Sequence, residues 1–210
     1  MIRIVFSTGN AGKLREASEI LGAGFELVTP AEAGIREEIP ETGTSLRANA
    51  LQKAQYIYDR TGLDCFADDT GLEVEILGGA PGVYSARYAG EHKSFDDNID
   101  KLLREMARLE YEASIARELG LKTGHATRRA RFRTSVALIF KGEKHFFDGT
   151  MEGSIAMKRA GSGGFGYDPV FIPDEFPDRT VAEIPEDAKN AISHRGKALR
   201  AMAEYLGSIV

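Results

Sequence analysis

The 210 residues carry 42% hydrophobic and 28% charged side chains, the balance of a water-soluble globular chain able to bury a sizeable core. A net charge of −5 disfavours a general nucleic-acid binder, and the single cysteine, Cys65, excludes an internal disulfide and suits a reducing compartment. At roughly 150 residues per domain the chain reads as one domain with two lobes. Ile4-Val5-Phe6 is too short for a secretory signal core and no run reaches membrane-spanning length, so a cytoplasmic location is expected.

Ile2 to Phe6 is β-branched and aromatic and predicts a strand, ending in Ser7-Thr8-Gly9-Asn10-Ala11-Gly12-Lys13. Leu14, Ala17, Ile20 and Leu21 then recur at helical spacing until Gly22 and Gly24. Strand, glycine loop and helix N-terminus together present backbone N–H groups to phosphate, although a plain strand-to-helix turn has the same outline. The loop is not a Walker A sequence, because Ser7 stands at the earlier glycine position and Leu14 where a hydroxyl belongs. Phe25 to Thr29 predicts a second strand and 30–40 a polar loop. Glu41-Thr-Gly-Thr-Ser45 opens a helix over Leu46 to Tyr58, with Leu46, Ala50, Ala54 and Ile57 as its apolar stripe. Asn49 and Lys53 lie four apart and share another face.

Leu63 to Ala67 is apolar but for Asp64 and reads as a strand whose end carries Asp68 and Asp69 into a loop at Thr70-Gly71, a common place for a hard metal ion. A bare acid pair is also an ordinary solvated turn. Cys65, inside the apolar run, reads as a buried structural cysteine. Leu72 to Leu77 alternates apolar and acidic residues as a half-buried strand, and Gly78-Gly79 and Pro81-Gly82 supply turns. Phe95 to Leu119 predicts a long helix with Ile99, Leu102, Leu103, Met106 and Leu109 on one side and a bend near Glu110 to Ser114, where the apolar period falters. A loop is expected over 120–127.

Arg128 to Arg133 is the one basic run. Nucleic-acid binding is the sharp reading; the plainer one is a strand with Ala130, Phe132, Thr134, Val136 and Leu138 on one face and arginines on the other. Lys141-Gly142 marks a hairpin turn, His145 to Thr150 the returning strand and Ile155 to Met157 a further short strand. Gly161-Ser-Gly-Gly-Phe-Gly166 has the letters of a dinucleotide fingerprint, but Pro169 and the extended Val170-Phe-Ile172 follow where a helix is required, so a Rossmann site is rejected. Phe165-Gly166-Tyr167-Asp168 instead suits an aromatic platform plus a carboxylate, a combination that holds a nucleobase. Thr180 to Ile184 reads as an edge strand and 185–190 as a turn or short helix. Ser193 is the expected N-cap of a last helix with Leu199, Met202, Leu206 and Ile209 as its stripe. His194 and Arg195 fall in its first turn, where a cation opposes the helix dipole, so a negative partner is expected nearby.

Two chemistries emerge. Glu41, Asp68 and Asp69 are hard oxygen donors suited to Mg²⁺ or Mn²⁺, with no His/Cys cluster for zinc. Lys13, Lys53, Lys189 and Arg195, with the amides of 9–12, are anion binders. Acids for a metal and cations for phosphate imply a nucleoside triphosphate and phosphoryl or nucleotidyl chemistry.

Six blocks then stand in one order: Thr8-Gly-Asn-x-x-Lys13; Glu41-Thr-Gly with Asn49-Ala and Lys53-Ala; Phe66-Ala-Asp-Asp-Thr-Gly-Leu-Glu-Val with Gly79-Ala-Pro-Gly-Val-Tyr-Ser-Ala-Arg-Tyr; Phe147-x-Gly-x-x-Glu-Gly-x-Ile155; Gly164-Phe-Gly-Tyr-Asp-Pro-Val-Phe171; and Lys189-Asn-x-x-Ser-His-Arg195. In these blocks the sequence resembles the inosine triphosphate pyrophosphatase family nearly end to end. It departs at Met106 to Thr127, a connection longer than that family's usual one. The resemblance implies an α/β fold, an elongated mixed twisted sheet flanked by helices in two lobes with a central cleft, and a homodimer. It implies hydrolysis of deaminated purine nucleoside triphosphates (ITP, dITP, XTP) to monophosphate and pyrophosphate with Mg²⁺, Mn²⁺ being the other candidate. It gives Thr8, Gly9, Asn10, Ala11, Gly12 and Lys13 to the phosphates, and Glu41 and Asp69 to the metal. Asp69 is also the implied proton acceptor, with Asp68 and Lys53 beside it. Thr70, Phe165, Gly166, Tyr167, Asp168, Lys189, His194 and Arg195 are the implied substrate contacts.

A deaminated purine carries a carbonyl where adenine carries an amino group, so donors at His194, Arg195 or the backbone favour it, with Asp168 steadying them. No membrane and no stable nucleic-acid partner is expected. A Maf-type pyrophosphatase and a non-catalytic nucleotide-binding protein are the alternatives. The Phe165-Gly-Tyr-Asp and Ser193-His-Arg blocks speak against the first, and the retained acids against the second.

Overall fold

A computed structural model of the chain describes residues 1–92, 94–121 and 127–209; the expected loop at 120–127 thus lies largely outside the described residues. In chain order the elements are β1 (Ile2–Phe6), α1 (Ala11–Leu21), β2 (Phe25–Val28), α2 (Leu46–Thr61), β3 (Cys65–Val74) and β4 (Pro81–Gly82). They continue with α3 (Phe95–Glu118), β5 (Arg129–Phe140), β6 (Glu143–Ile155), β7 (Phe171–Pro173), α4 (Glu186–Ile192) and α5 (His194–Ile209). Among the described residues seven strands form one mixed sheet in the order β2-β1-β3-β5-β6-β7, with β4 paired to β3. β1 runs parallel to β2 and β3, whereas β4 and β7 run antiparallel to their neighbours. Contacts divide the chain into two units, Met1–Thr70, Arg133–Thr150 and Ile192–Val210 in the first and Gly71–Phe132 and Met151–Ala191 in the second.

In the first unit the layers follow from the two-residue period of a strand. Ile4, Phe6, Phe66, Val136 and Leu138 leave the sheet on one face, against Ala17 and Leu21 of α1 and Ala198, Leu199, Met202 and Leu206 of α5. Their chain neighbours Val5, Cys65, Ala67, Ala137 and Ile139 take the other face, against Ala50, Ala54 and Ile57 of α2. Strands covered on both faces need near-continuous apolar runs, which is what β1, the start of β3 and the second half of β5 are. Phe6 lies opposite Phe66 and their rings stack 4.2 Å apart. Cys65 is buried, its Sγ 3.2 Å from the Ala54 carbonyl, and burial pushes the thiol up to about 12, which leaves it inert. Lys141 and Gly142 both have positive φ, 50° and 84°, and close the β5–β6 hairpin as a tight two-residue turn.

In the second unit Leu72, Val74, Ile99, Leu102, Met106, Phe132, Met151 and Phe171 are buried, and the Phe132 and Phe171 rings lie 4.7 Å apart. Ser94 caps α3 by accepting the Asp97 N–H at 3.2 Å. The helix closes where the N–H groups of Gly120 and Leu121 return to the carbonyls of Arg117 and Ala116, at 3.0 and 2.9 Å.

The structure revises several expectations. β3 runs ten residues without a break, so Asp68 and Asp69 lie inside a strand and not in a loop at its end. Pairing of Leu72 with Gly82 and Glu73 with Pro81 keeps the chain extended past Gly71, so Pro81-Gly82 is a short strand and not a turn. The expected strand at Leu72 to Leu77 is the tail of β3 followed by a 3-10 turn at Glu75–Leu77. α3 continues through 110–114, where Arg108 and Glu112 pair at 2.7 Å across one turn and support the helix without apolar periodicity. β6 reaches Ile155 and absorbs the separate strand expected there. Thr180 to Ile184 holds a 3-10 turn at Val181–Glu183 and not an edge strand, because the Glu183 carboxylate reaches back to the Thr180 N–H at 2.8 Å.

The basic run is a strand entry with its charges matched. Arg128 pairs with Glu110 at 2.6 Å, Arg129 with Asp174 at 2.6 Å, Arg131 with Glu73 at 2.6 Å and Arg133 with Asp148 at 3.3 Å. Ala130, Phe132, Thr134, Val136 and Leu138 are buried, as the strand reading requires. Among the described residues no helix is long and apolar enough to cross a membrane.

Candidate active site

Alternation along β3 separates the two adjacent acids. Asp68 shares the face of Phe66, toward α1 and α5, and Asp69 shares the face of Ala67, toward α2. On the first face, Lys13 Nζ donates to both Asp68 oxygens at 3.2 and 3.0 Å, and Arg195 Nε donates to Oδ2 at 3.0 Å. Burial by itself would push the Asp68 carboxyl up, but Lys13 and Arg195 more than offset it and hold the group well below the usual carboxylate range. Burial acts on Arg195 in the opposite sense and is again outweighed, by Asp68 and by Glu16, whose Oε2 lies 3.6 Å from Nη1. The negative partner expected for the first turn of α5 is therefore Asp68 together with Glu16. Ser193 caps that helix by accepting the Gly196 N–H at 2.9 Å, as expected.

The loop after β1 starts beside β3, held by the Ser7 N–H on the Phe66 carbonyl at 2.9 Å. Thr8 Oγ1 accepts the Asn10 N–H at 3.1 Å, and Asn10 Oδ1 accepts the N–H groups of Gly12 and Lys13 at 2.8 and 3.1 Å. Asn10 is thus the N-cap of α1, and its own carboxamide takes two of the amides that an anion would use. Gly9 and Ala11 are exposed beside it.

On the second face, Asn49 Nδ2 donates to Asp69 Oδ2 at 3.0 Å, and Asn49 Oδ1 accepts the Gly43 N–H at 2.7 Å. Lys53, one helical turn on, lies 2.6 Å from Glu41 Oε1 and 3.9 Å from Asp69 Oδ1. Thr70 donates its N–H to Asp69 Oδ1 at 3.1 Å and pairs its hydroxyl with that of Thr134 at 2.7 Å. Asp69 is shifted opposite to Asp68: burial pushes it up, Glu41 and Asp68 add to that, and Lys53 and Asn49 offset only part. Among the described residues no three His, Cys, Asp or Glu side chains gather as a metal cage. Two carboxylates, Glu41 and Asp69, meet at Lys53. That donor set fits Mg²⁺, which takes one or two carboxylates and fills its remaining positions with water and substrate phosphate oxygens.

The second unit carries the aromatic turn. Asp168 is buried, and its Oδ2 accepts the Phe165 N–H at 2.8 Å and Lys189 Nζ at 2.6 Å. Gly164, at φ 74°, passes so close to this carboxylate that a Cβ would overlap it. The Phe165 ring is 53% exposed, with Lys189 Nζ 4.9 Å from its centroid and Phe95 tilted against it at 6.4 Å. Tyr167 is buried, its hydroxyl donating to the Ser85 carbonyl at 2.9 Å, so it supports the turn that Gly166 completes. Asp168 steadies Lys189 and Phe165; the steadying of Arg195 expected from it falls to Asp68 and Glu16.

Glu16, Asn49 as a ligand of Asp69, and Gln52 are absent from the sequence-based site. Glu16 stands three residues after Lys13 on one face of α1, and Gln52 stands three after Asn49 on α2, so helical spacing was the available signal.

An α/β sheet that sets hard carboxylates at Glu41, Asp68 and Asp69 among the cations Lys13, Lys53 and Arg195 carries the equipment of an enzyme that handles nucleotide phosphates. The sequence model of the Ham1 family matches residues 4–205, and the chain belongs to that family. It is similar to the dITP/XTP pyrophosphatase of Porphyromonas gingivalis, 48% identical over 98% of each chain, and to that of Bacillus subtilis, 41% identical over 98% of each. Among solved structures it is similar to a HAM1 protein from Coxiella burnetii, with TM-score 0.87, 34% identity and 99% and 100% of the two chains covered. A nucleoside-triphosphatase / dITP/XTP pyrophosphatase from Mycobacterium abscessus is similar with TM-score 0.75 at 40% identity, over 96% of this chain and 98% of that one.

Proposed function

We propose that this protein hydrolyses deaminated purine nucleoside triphosphates, dITP, XTP and ITP, to the monophosphate and pyrophosphate, as a cytoplasmic homodimer that uses Mg²⁺ or Mn²⁺. The observation that carries the reading is the geometry around the two acids: Asp68 is held ionised between Lys13 and Arg195, while Asp69, which burial pushes up, faces Asn49, Lys53 and Glu41. The names of the relatives support the substrate class.

Glu41 and Asp69 would hold the ion, which when bound supplies charge neutralisation at the phosphate oxygens and polarises the α-phosphorus. Asp69 accepts a proton from the attacking water as the new oxygen–phosphorus bond forms. The bond from the α-phosphorus to the bridging oxygen breaks, and pyrophosphate leaves with that electron pair. Lys13 and Lys53 offset the charge that gathers on the leaving group. Thr8 to Lys13 are assigned to the phosphates. Phe165 offers the purine a face on which stacking does not depend on base identity, so selection falls to hydrogen-bond donors. Lys189, His194 and backbone amides are the donors in question.

The test is a nucleotide panel with Mg²⁺ present, reading both pyrophosphate and orthophosphate. ITP, dITP and XTP should release pyrophosphate and ATP far less. Orthophosphate release would mean a phosphatase, and binding without release a nucleotide sensor. Light scattering that returned the mass of one chain would remove the homodimer.

A further inference from the structure

The polar face of α2 holds a short loop by three consecutive contacts. Lys53 takes Glu41 at 2.6 Å, Gln52 takes Thr42 through both its amide nitrogen and its amide oxygen at 2.9 Å each, and Asn49 takes the Gly43 N–H at 2.7 Å. Two of the three reach further: Lys53 Nζ stands 3.9 Å from Asp69 Oδ1, and Asn49 Nδ2 donates a hydrogen bond to Asp69 at 3.0 Å. Asn49 is buried at 1% exposure, so losing either bond would leave a buried polar group without its partner. The orientation of the amide follows from its surroundings: a backbone N–H requires the oxygen and a carboxylate requires the NH₂.

We infer that Asn49 is a positioning residue that sets Glu41 against Asp69, tying the loop that bears one acid directly to the other acid. This rests on the reading that Glu41 and Asp69 share an ion. Only a carboxamide of this length fits. Aspartate keeps the acceptor for Gly43 but turns a charge on Asp69, and serine keeps one bond at most. Gly43 belongs to the same device, since a Cβ there would stand 2.7 Å from Asn49 Oδ1 and 2.9 Å from Asn49 N. Close approach of the loop to α2 therefore needs glycine at this point. An ion that demands near-ideal octahedral geometry is sensitive to such a separation, because shifting one carboxylate by a fraction of an ångström loses a ligand.

The experiment compares Asn49→Ala, Asn49→Asp and Gly43→Ala with Glu41→Gln. Mn²⁺ binding is read by electron paramagnetic resonance with a non-hydrolysable ITP analogue, and half-saturating Mg²⁺ is read in turnover. All three positioning variants should need about tenfold more ion or beyond, with the KM for nucleotide at saturating ion changed less than threefold, since a tenfold change in affinity is a difference of about 1.4 kcal/mol. Gly43→Ala lies in a loop and keeps the test open if Asn49→Ala fails to fold. Unchanged Mn²⁺ affinity in the Asn49 and Gly43 variants, with Glu41→Gln weakened, overturns the positioning role alone. Unchanged affinity in Glu41→Gln overturns the ion reading beneath it. A loss of thermal stability with wild-type ion affinity marks Asn49 as merely structural.

Discussion

Asp68 and Asp69 are neighbours in the chain yet leave β3 on opposite faces, Asp68 toward Lys13 and Arg195 and Asp69 toward Asn49 and Lys53. Lys13 and Arg195 dominate the field at Asp68, whereas Asp69 is raised by burial and further by the charges of Glu41 and Asp68, with Lys53 and Asn49 offsetting only part, so the two acids shift in opposite directions.

Asp68→Asn should destabilise the fold by about 3 kcal/mol, because buried Arg195 and half-buried Lys13 lose a fully buried counter-charge. The folded-state pKa of Asp68 is depressed, so its contribution is fully present above the unfolded value of roughly 3.9 and is lost as the pH falls below that toward the folded value. Urea midpoints of the wild type should therefore fall between about pH 5 and about pH 3 more steeply than those of Asp68→Asn. Parallel curves would remove Asp68 as the electrostatic anchor.

Asp69→Asn should behave in the opposite way. Burial makes the ionised form unfavourable, so at neutral pH the amide should hold or raise the urea midpoint. Turnover should nevertheless fall by roughly 10²-fold or more, as expected for removal of a general base. Near-wild-type turnover would eliminate that role.

Arg195 and Asp68 act as one unit in the first unit's interior. The double variant Arg195→Ala with Asp68→Asn should cost less than the sum of the single variants by about 1 to 3 kcal/mol, the range for directly coupled groups. Additive losses in chemical denaturation would show that the 3.0 Å bond carries no coupling.

Phe165→Ala should raise KM for ITP about 10-fold and leave kcat within a factor of about 3, because base stacking is worth roughly 1 to 3 kcal/mol of binding. Phe165→Trp should restore the wild-type KM. A fall in kcat with KM unchanged would place Phe165 in the chemistry and not in binding.

Much of this was legible in the residues. Apolar periodicity located α1, α2, α5 and the β5–β6 hairpin, since each buries a stripe or a face and so must repeat with its own geometry. The N-cap Ser193 is read from a hydroxyl standing before a helical run. Errors collect where long-range pairing overrides local pattern: β3 extends through Asp68-Asp69-Thr70 because its neighbours supply partners, and Thr180 to Ile184 curls because Glu183 reaches back.

By itself the sequence determined which chemistry was available: hard acids, anion-binding lysines, a glycine-bound aromatic turn, and blocks that resemble one enzyme family. Tertiary structure alone decided how those groups divide. That Arg195 answers to Asp68 and Glu16, that Asp168 serves Lys189, and that Asn49 joins Gly43 to Asp69 depends on which elements pack together. The physical reason is that a side chain's partner and desolvation are set by residues distant in the chain. Two adjacent aspartates, told apart in the sequence only by family resemblance, therefore acquire opposite shifts once the sheet has put a helix over each face.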